Sequence, residues 1–355
     1  MKKVKEILNQ IFIEGLSGMA TGLFATLLIG TIIQQIGTFI PGTIGDNIYM
    51  MGKIAASVTG VGIGCGVAVR FKESPLVIMS AATCGMMGAF ASKILAGSVL
   101  VEGSILYAGP GEPLGAFIAA LAGIYMGRLV SGKTKVDILV TPLVSIVSGS
   151  TVGLILGPPI SKFMTLLGEI INAATQQQPF LMGILVSVLM GIVLTLPISS
   201  AALGVILNLS GLAAGAATVG CCANMVGFAV ASYRENKMNG LVAQGLGTSM
   251  LQIANIVKKP IIWLPAIITS AILGPISTMV LHMTNNATGS GMGTCGLVGQ
   301  LTTYQTMLAE GGDAAVILIK IVVLHFVLPA VLSLGISEFM RKKGWIKAGD
   351  MKLDI

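Results

Sequence analysis

Apolar stretches about as long as a lipid bilayer is thick recur along the whole of this 355-residue chain. A hydrocarbon core of about 30 Å needs roughly 20 mainly apolar residues per helix. Stretches of that kind occupy residues 18–39, 48–69, 115–130, 136–156, 180–196, 212–231, 261–281 and 314–339, with shorter apolar runs between them. Hydrophobic residues make up 54% of the chain and charged residues only 10%, against about 25% charged in an ordinary soluble protein. No segment reads as a soluble domain. The pattern predicts an all-α polytopic membrane protein with about 8–10 transmembrane helices, some of them re-entrant hairpins, in two weakly similar halves, residues 1–178 and 179–355.

The net charge of +7 is spread in short clusters beside the apolar spans: Arg70 and Lys72; Arg128, Lys133 and Lys135; Arg234 and Lys237; Lys258 and Lys259; Arg341, Lys342, Lys343 and Lys347. This is a positive-inside pattern and not a basic groove, so no nucleic acid is expected as a partner. Placing those clusters in the cytoplasm brings both termini inside and makes the protein multi-pass in the cell membrane. The basic start Met1-Lys2-Lys3-Val4-Lys5 resembles a signal peptide, but the apolar region after it is too long and carries Glu14 near its start.

Two stretches do not cross simply. Residues 75–92 and 240–256 have cations on both flanks, so a plain span would strand one cluster outside. Each is expected to dip in and return, which is tolerated only where protein or a water-filled cavity surrounds it. For 240–256, with Gln244, Thr248, Gln252 and Asn255, an amphipathic helix lying at the interface is an equal alternative. "GVAVRFKESPLV" from Gly66 echoes "GFAVASYRENKMNGLV" from Gly227, and "TPLVSIVSGSTVGLILGPPIS" from Thr141 echoes "LPAIITSAILGPIS" from Leu264. The spacings differ, so the two-fold similarity is weak. Transporters built from two halves bind solute where the halves meet.

"NNATGSGMGTCGLVGQ", residues 285–300, contains a literal G-x-G-x-x-G with Asp313 downstream. It follows a span of apolar residues and not a short strand, so a dinucleotide-binding reading fails on context. Asn285, Asn286, Thr288, Gly289, Ser290, Gly291, Gly293, Thr294 and Gln300 suit a backbone that approaches a solute and offers N–H groups to it, beside a short helix expected to begin near Thr294. An extramembrane Gly/Ser loop without a ligand is the bland alternative.

In "LTLPISSAALG", Pro197 should break a helix, while Ser199 and Ser200 offer hydroxyls to the freed carbonyls. The segment is either a hairpin with its tip in the membrane or a proline kink. Asn208 and Asn224 are amides in apolar surroundings that need a helix or a solute as partner. Glu112, in "YAGPGEPLGAF", is either a solvated loop acid or a solute and proton group. Five cysteines include no C-x-x-C pair and suggest reduced, buried thiols; His282 and His325 are expected to serve helix packing or the interface, with proton carriage as the alternative. No nucleophile–base pairing emerges, so neither an enzyme nor a cofactor is expected.

The run from Pro197 to Gln300, with "LPISSAALG", "AGAATVGCCANMVGFAVASYREN" and "NNATGSGMGTCGLVGQ", resembles the EIIC-like membrane family that includes the perfringolysin regulatory protein. That family is grouped with the membrane IIC components of the sugar phosphotransferase system, which bind sugars between re-entrant hairpins. "GPGEP" is similar to the stretch where those proteins place a sugar-binding glutamate, which implies that role for Glu112, although here the motif falls in the first half. A complete phosphotransferase also needs soluble IIA and IIB domains, for which these residues leave no room. The resemblance implies a transporter of a small polar solute, plausibly a sugar, with a membrane-embedded solute sensor as the competing reading. Expected partners are the solute and the lipid bilayer, with a homodimer as an open assembly.

Overall fold

The computed structural model describes residues 2–101, 103–107 and 109–353. It is helical almost throughout, with one small antiparallel hairpin pairing Leu100–Val101 with Ser104–Ile105. Six helices among the described residues are long and apolar enough to cross a membrane: Glu6–Phe39, Pro113–Val130, Asp137–Thr175, Gly211–Ala231, Pro260–Val280 and Ala314–Lys342. The pair Thr43–Ser57 and Thr59–Arg70, where the hydropathy reads as one uninterrupted crossing, is bent by 52° and is either a broken seventh span or a re-entrant loop. Two shorter apolar helices, Pro75–Ala89 and Pro179–Thr195, complete the set. The chain is therefore an all-α polytopic membrane protein. Proline sits in the first turn of the helices that start at Pro75, Pro113 and Pro179, where its missing N–H costs no hydrogen bond.

The chain divides into two compact units, Met1–Met164 and Thr165–Ile355. In the first, glycines let helix backbones touch. A Cβ on Gly22 would collide with Gly62 O, one on Gly18 with Gly66 O, and the reverse additions collide equally. The opposite face of the same Thr59–Arg70 helix uses Gly60 and Gly64 against Gly85 and Ala81. Spacing of four residues puts each pair on one helix face, the small-xxx-small arrangement that replaces hydrophobic driving force between helices in lipid. At one end of this unit Arg128 is ion-paired with Glu73 and lies 5.1 Å from the Tyr125 ring centroid.

The second unit is built around the Gly211–Ala231 helix. Its sequence is apolar or small on all sides, and from Ala214 to Ala231 nearly every residue is buried. A helix apolar all round belongs in the middle of a bundle. Pro179–Thr195, Leu264–Pro275 and Leu328–Lys342 surround it. Glycines again set the separation: Gly183 meets Gly274, and Gly220 meets the Ser187 backbone. Below these helices the C-terminal residues fold back on the loop after the central helix. Arg341 pairs with Glu235 at 2.8 Å and Lys259 with Asp350 at 2.5 Å. Burial opposes ionisation of Asp350, but Lys259 and the Lys347 N–H outweigh it and hold the carboxyl below its usual range.

The segment at 240–256 is not a surface-lying amphipathic helix. It is broken into a π-helical turn, Ala243–Gly247, an extended residue, Thr248, and a 3-10 turn, Ser249–Gln252. Its polar side chains Gln244, Ser249 and Gln252 are fully buried. Gln244 donates to Ser232 Oγ (2.9 Å), and Gln252 donates to Gln244 Oε1 (2.9 Å) and to Met351 O (2.9 Å).

Candidate functional site

Three interruptions of helical backbone converge on the Gly211–Ala231 helix. The first follows Thr195. Leu196 leaves helical dihedrals, Pro197 cannot continue the ladder, and Ser199 restarts a short helix, Ser200–Ile206, by accepting from Ala202 N (3.2 Å). This is a true break and not a kink. Asn208, in the left-handed turn that ends this helix, is exposed. The second interruption is 243–252. The third is the glycine-rich segment, where Asn286 caps a four-residue helix, Ala287–Ser290, by accepting from Gly289 N (3.1 Å).

The first and third interruptions touch. Ser200 Oγ donates to Gly291 O at 2.7 Å, and a Cβ on Gly291 would strike the Ser200 carbonyl. Gly204 and Ser290 are in similarly close approach. The second and third touch as well, because Thr294 Oγ1 donates to Gly245 O. The third rests on one face of the central helix: Thr218 accepts from Asn285 Nδ2 (2.8 Å), the Cys221 thiol lies 3.7 Å from Ser290 O, and Gln300 Nε2 lies 3.3 Å from Cys222 Sγ. Asn285 also donates to Gly299 O (3.2 Å), which closes the segment on itself.

These contacts change the meaning of the glycines. Gly293 has φ +53°, which disfavours any other residue, and a Cβ there would press on Cys221. Gly289 is closed in by Thr302 and Asn285. The close approach is of backbone to protein. The helix expected near Thr294 begins at Val298, after a 3-10 turn at Cys295–Leu297. Asp313 accepts from Val316 N (2.9 Å) and caps the Ala314–Ile321 helix, which is the role of this carboxylate in place of any ribose contact.

Asn224 is a hub on another face of the central helix. Its Nδ2 donates to Gly220 O (3.1 Å) and Ser270 Oγ (3.2 Å), while its Oδ1 accepts from Trp263 Nε1 (2.8 Å) and Thr195 Oγ1 (3.3 Å). The amide is fully engaged within the protein. Thr195 Oγ1 also lies 2.7 Å from Ser249 Oγ, so this network runs from the first interruption to the second. Thr195, Trp263, Ser249 and Ser270 escape a reading by motif. For Thr195, Trp263 and Ser270 the signal is a polar atom in an apolar window near Pro197, Pro260 or Pro265.

Among the polar side chains expected to meet a solute, those of Ser200, Asn285, Ser290 and Thr294 are buried and bonded to protein. Thr288 is exposed and Asn286 half-buried. Gln300 is buried, and its Oε1 has no hydrogen-bond partner. Glu112 belongs to the first unit, where it precedes the Pro113–Val130 helix and accepts weakly from Leu114 N (3.5 Å). Burial pushes its carboxyl up to about 7, against the smaller opposing pull of the Leu114 N–H. All five cysteines are free thiols, with Cys65 half-buried and the other four buried. Among the described residues no group of three His, Cys, Asp or Glu side chains could hold a metal ion.

A comparison with curated proteins finds no match for the chain. The family model described as "Phosphotransferase system, EIIC" matches residues 13–353, which takes in both units, the three interruptions and the C-terminal fold-back. EIIC domains are the membrane transporter component of that system and not a catalytic domain by themselves. Membrane-length helices, with polar, broken backbone gathered against the central helix of the second unit, accord with that match, and the chain belongs to the phosphotransferase system EIIC family.

Proposed function

We propose that the protein binds a small polar solute of sugar-like chemistry at the three interruptions of the second unit and carries it across the cell membrane by alternating access, with both termini in the cytoplasm. The observation that supports this most is the Ser200–Gly291 hydrogen bond. It joins two broken segments inside a membrane-embedded bundle, where non-helical backbone is tolerated only if protein or a solute path shelters it. Ser199, Asn286, Thr288 and Gln300 meet the solute. Ser200, Asn224, Asn285, Gly289, Ser290, Gly291, Gly293 and Thr294 hold the frame. Glu112 is a protonatable group of the first unit.

A solute sensor is the second reading, and the C-terminal fold-back favours it. Gln252 bonds to Met351 O and to Gln244, whose π-helical turn also offers Gly245 O to Thr294. Contacts thus run without a gap from the glycine-rich segment to the tail. The test is a thermal-shift screen of neutral sugars and polyols on purified protein, followed by uptake of each hit into liposomes. Binding with accumulation supports the carrier, binding without it supports the sensor, and no binding sinks both. In the same preparation, Ser199→Cys and Thr288→Cys should react with small water-soluble thiol reagents and be protected by the hit.

A further inference from the structure

At the end of the glycine-rich segment, Gln300 joins a buried polar cluster whose other members, Thr303 and His325, the transport reading does not use. Gln300, in the first turn of the Val298–Ala309 helix, places its Nε2 3.3 Å from His325 Nδ1 and 3.3 Å from Cys222 Sγ. His325 is carried by a π-helical turn, Val322–Val327, and is fully buried. Thr303, one turn after Gln300 on the same face, is fully buried too. Three atoms here have no hydrogen-bond partner: Gln300 Oε1, His325 Nε2 and Thr303 Oγ1.

The chemistry of those atoms identifies what would satisfy them. With Gln300 Nε2 donating to His325 Nδ1, the imidazole carries its proton on Nε2, which leaves one N–H donor and one amide oxygen acceptor unmatched. Turning the amide over exchanges the roles, so that the amide NH2 becomes the unmatched donor and His325 Nε2 the unmatched acceptor. Either way one donor and one acceptor remain, with a threonine hydroxyl that can be both. An anion would satisfy only the donor and a cation only the acceptor. A neutral hydroxyl satisfies the set. Leaving such groups bare inside a membrane bundle is costly, and π-helical turns of this kind concentrate at functional sites.

We propose that Gln300, Thr303 and His325 form a buried site for one neutral hydroxyl group, supplied either by water or by a polyol. It lies against Cys222 of the central helix. The site stands whether the protein is a carrier or a sensor.

Radiolytic hydroxyl-radical footprinting of the full chain, read by mass spectrometry, tests it, because radicals formed from a trapped water oxidise the side chains beside it. Cys221 is the internal control: it is as buried as Cys222, but its thiol faces the Met190 and Ser290 carbonyls. Oxidation of Cys222 and His325 severalfold faster than Cys221 is the expected result. At a radical dose matched on Cys221 labelling, because polyols also scavenge hydroxyl radicals, loss of that excess on adding D-mannitol identifies the polyol as a source, and persistence identifies structural water. Thr303→Val, which keeps the shape and removes the hydroxyl, should lower the labelling of His325 while Cys221 stays unchanged. Equal, slow oxidation of Cys221, Cys222 and His325 in the unaltered protein would show a dry cluster and overturn the proposal.

Discussion

The two units use small residues in the same way and polar residues in opposite ways. Both bring helix backbones into contact at glycine, Gly22 on Gly62 in the first and Gly183 on Gly274 in the second. In the first unit, hydroxyls along the helices mostly bond backward within their own helix, as Thr26 does to Gly22 O (2.8 Å), Thr31 to Leu27 O (2.7 Å) and Thr151 to Val147 O (2.7 Å). In the second, they bond across elements: Ser187 to Ser270 O (2.7 Å), Ser200 to Gly291 O (2.7 Å), Ser333 to Thr269 Oγ1 (2.9 Å). A hydroxyl bonded to its own helix lets that helix slide or tilt unchanged. One bonded to a neighbour holds two elements in register, and it is what allows broken backbone to survive in lipid. The first unit is thus held chiefly by shape, with a few bonds across elements such as Ser145 Oγ to Gly123 O (2.7 Å), and the second by shape and directed bonds together.

The largest effects should come from shape, in either unit. Gly22→Val drives a branched side chain into the Gly62 carbonyl, which backbone alone cannot yield to, so a loss of about 3 kcal/mol or more is expected. Thermal unfolding in detergent should show it as a fall on the order of 10 °C or as failure to accumulate folded protein. Gly335→Ala is the control, since nothing lies within 4 Å of its Cβ position, and it should leave the midpoint unchanged or slightly raised. Equal effects of the two would break the argument for backbone contact.

Next comes the hub that only the second unit possesses. Asn224→Ala leaves Trp263 Nε1, Ser270 Oγ and Thr195 Oγ1 short of a partner in a buried setting. A cost of roughly 2–4 kcal/mol follows from the lost partners and the cavity. If bonds across elements do more here than local ones, Thr31→Val in the first unit should cost well under half as much. Ser200→Ala is smaller again, about 1 kcal/mol of stability. Its effect on solute affinity should be proportionally greater, because it frees the glycine-rich segment from the first interruption. Isothermal binding of the screened hit reads the affinity, and an affinity unchanged by Ser200→Ala would detach that contact from function.

How far these features are visible in the chain follows from the range of the forces behind them. Hydropathy is a local sum, so the membrane-length helices and the failure of the dinucleotide motif are legible, as is the break at Pro197. The bend at Val58 is not, because Thr43–Ser57 and Thr59–Arg70 read as one apolar run. Forty-seven glycines announce close packing, but which of them meet is set by tertiary structure. Gly291 shows the limit well. Its neighbours suggest backbone open to a solute, whereas its partner is Ser200, 91 positions away in the sequence. The polar segment 240–256 poses the same problem in reverse, since an amphipathic surface helix and a buried, broken one share a composition. Only the partners Ser232 and Met351 decide between them.

A pH-dependent effect is expected at Glu112 of the first unit, a carboxylate whose titration is governed by burial. Glu73 has Arg128, whereas the Glu112 carboxyl is governed by burial, with only the Leu114 N–H in opposition. A folded-state value near 7, above the ordinary 4.5, means that folding favours the protonated form. The stability this contributes is therefore complete below about pH 4.5 and is lost as pH rises through about 7. Glu112→Gln, which mimics the protonated acid, should match the unaltered protein at pH 4.5 and exceed it at pH 8, by no more than roughly 3 kcal/mol. Unfolding midpoints of both proteins measured across that range test the sign directly. A gap between them that does not widen with pH would mean that Glu112 is solvated and that burial does not hold its carboxyl near neutrality.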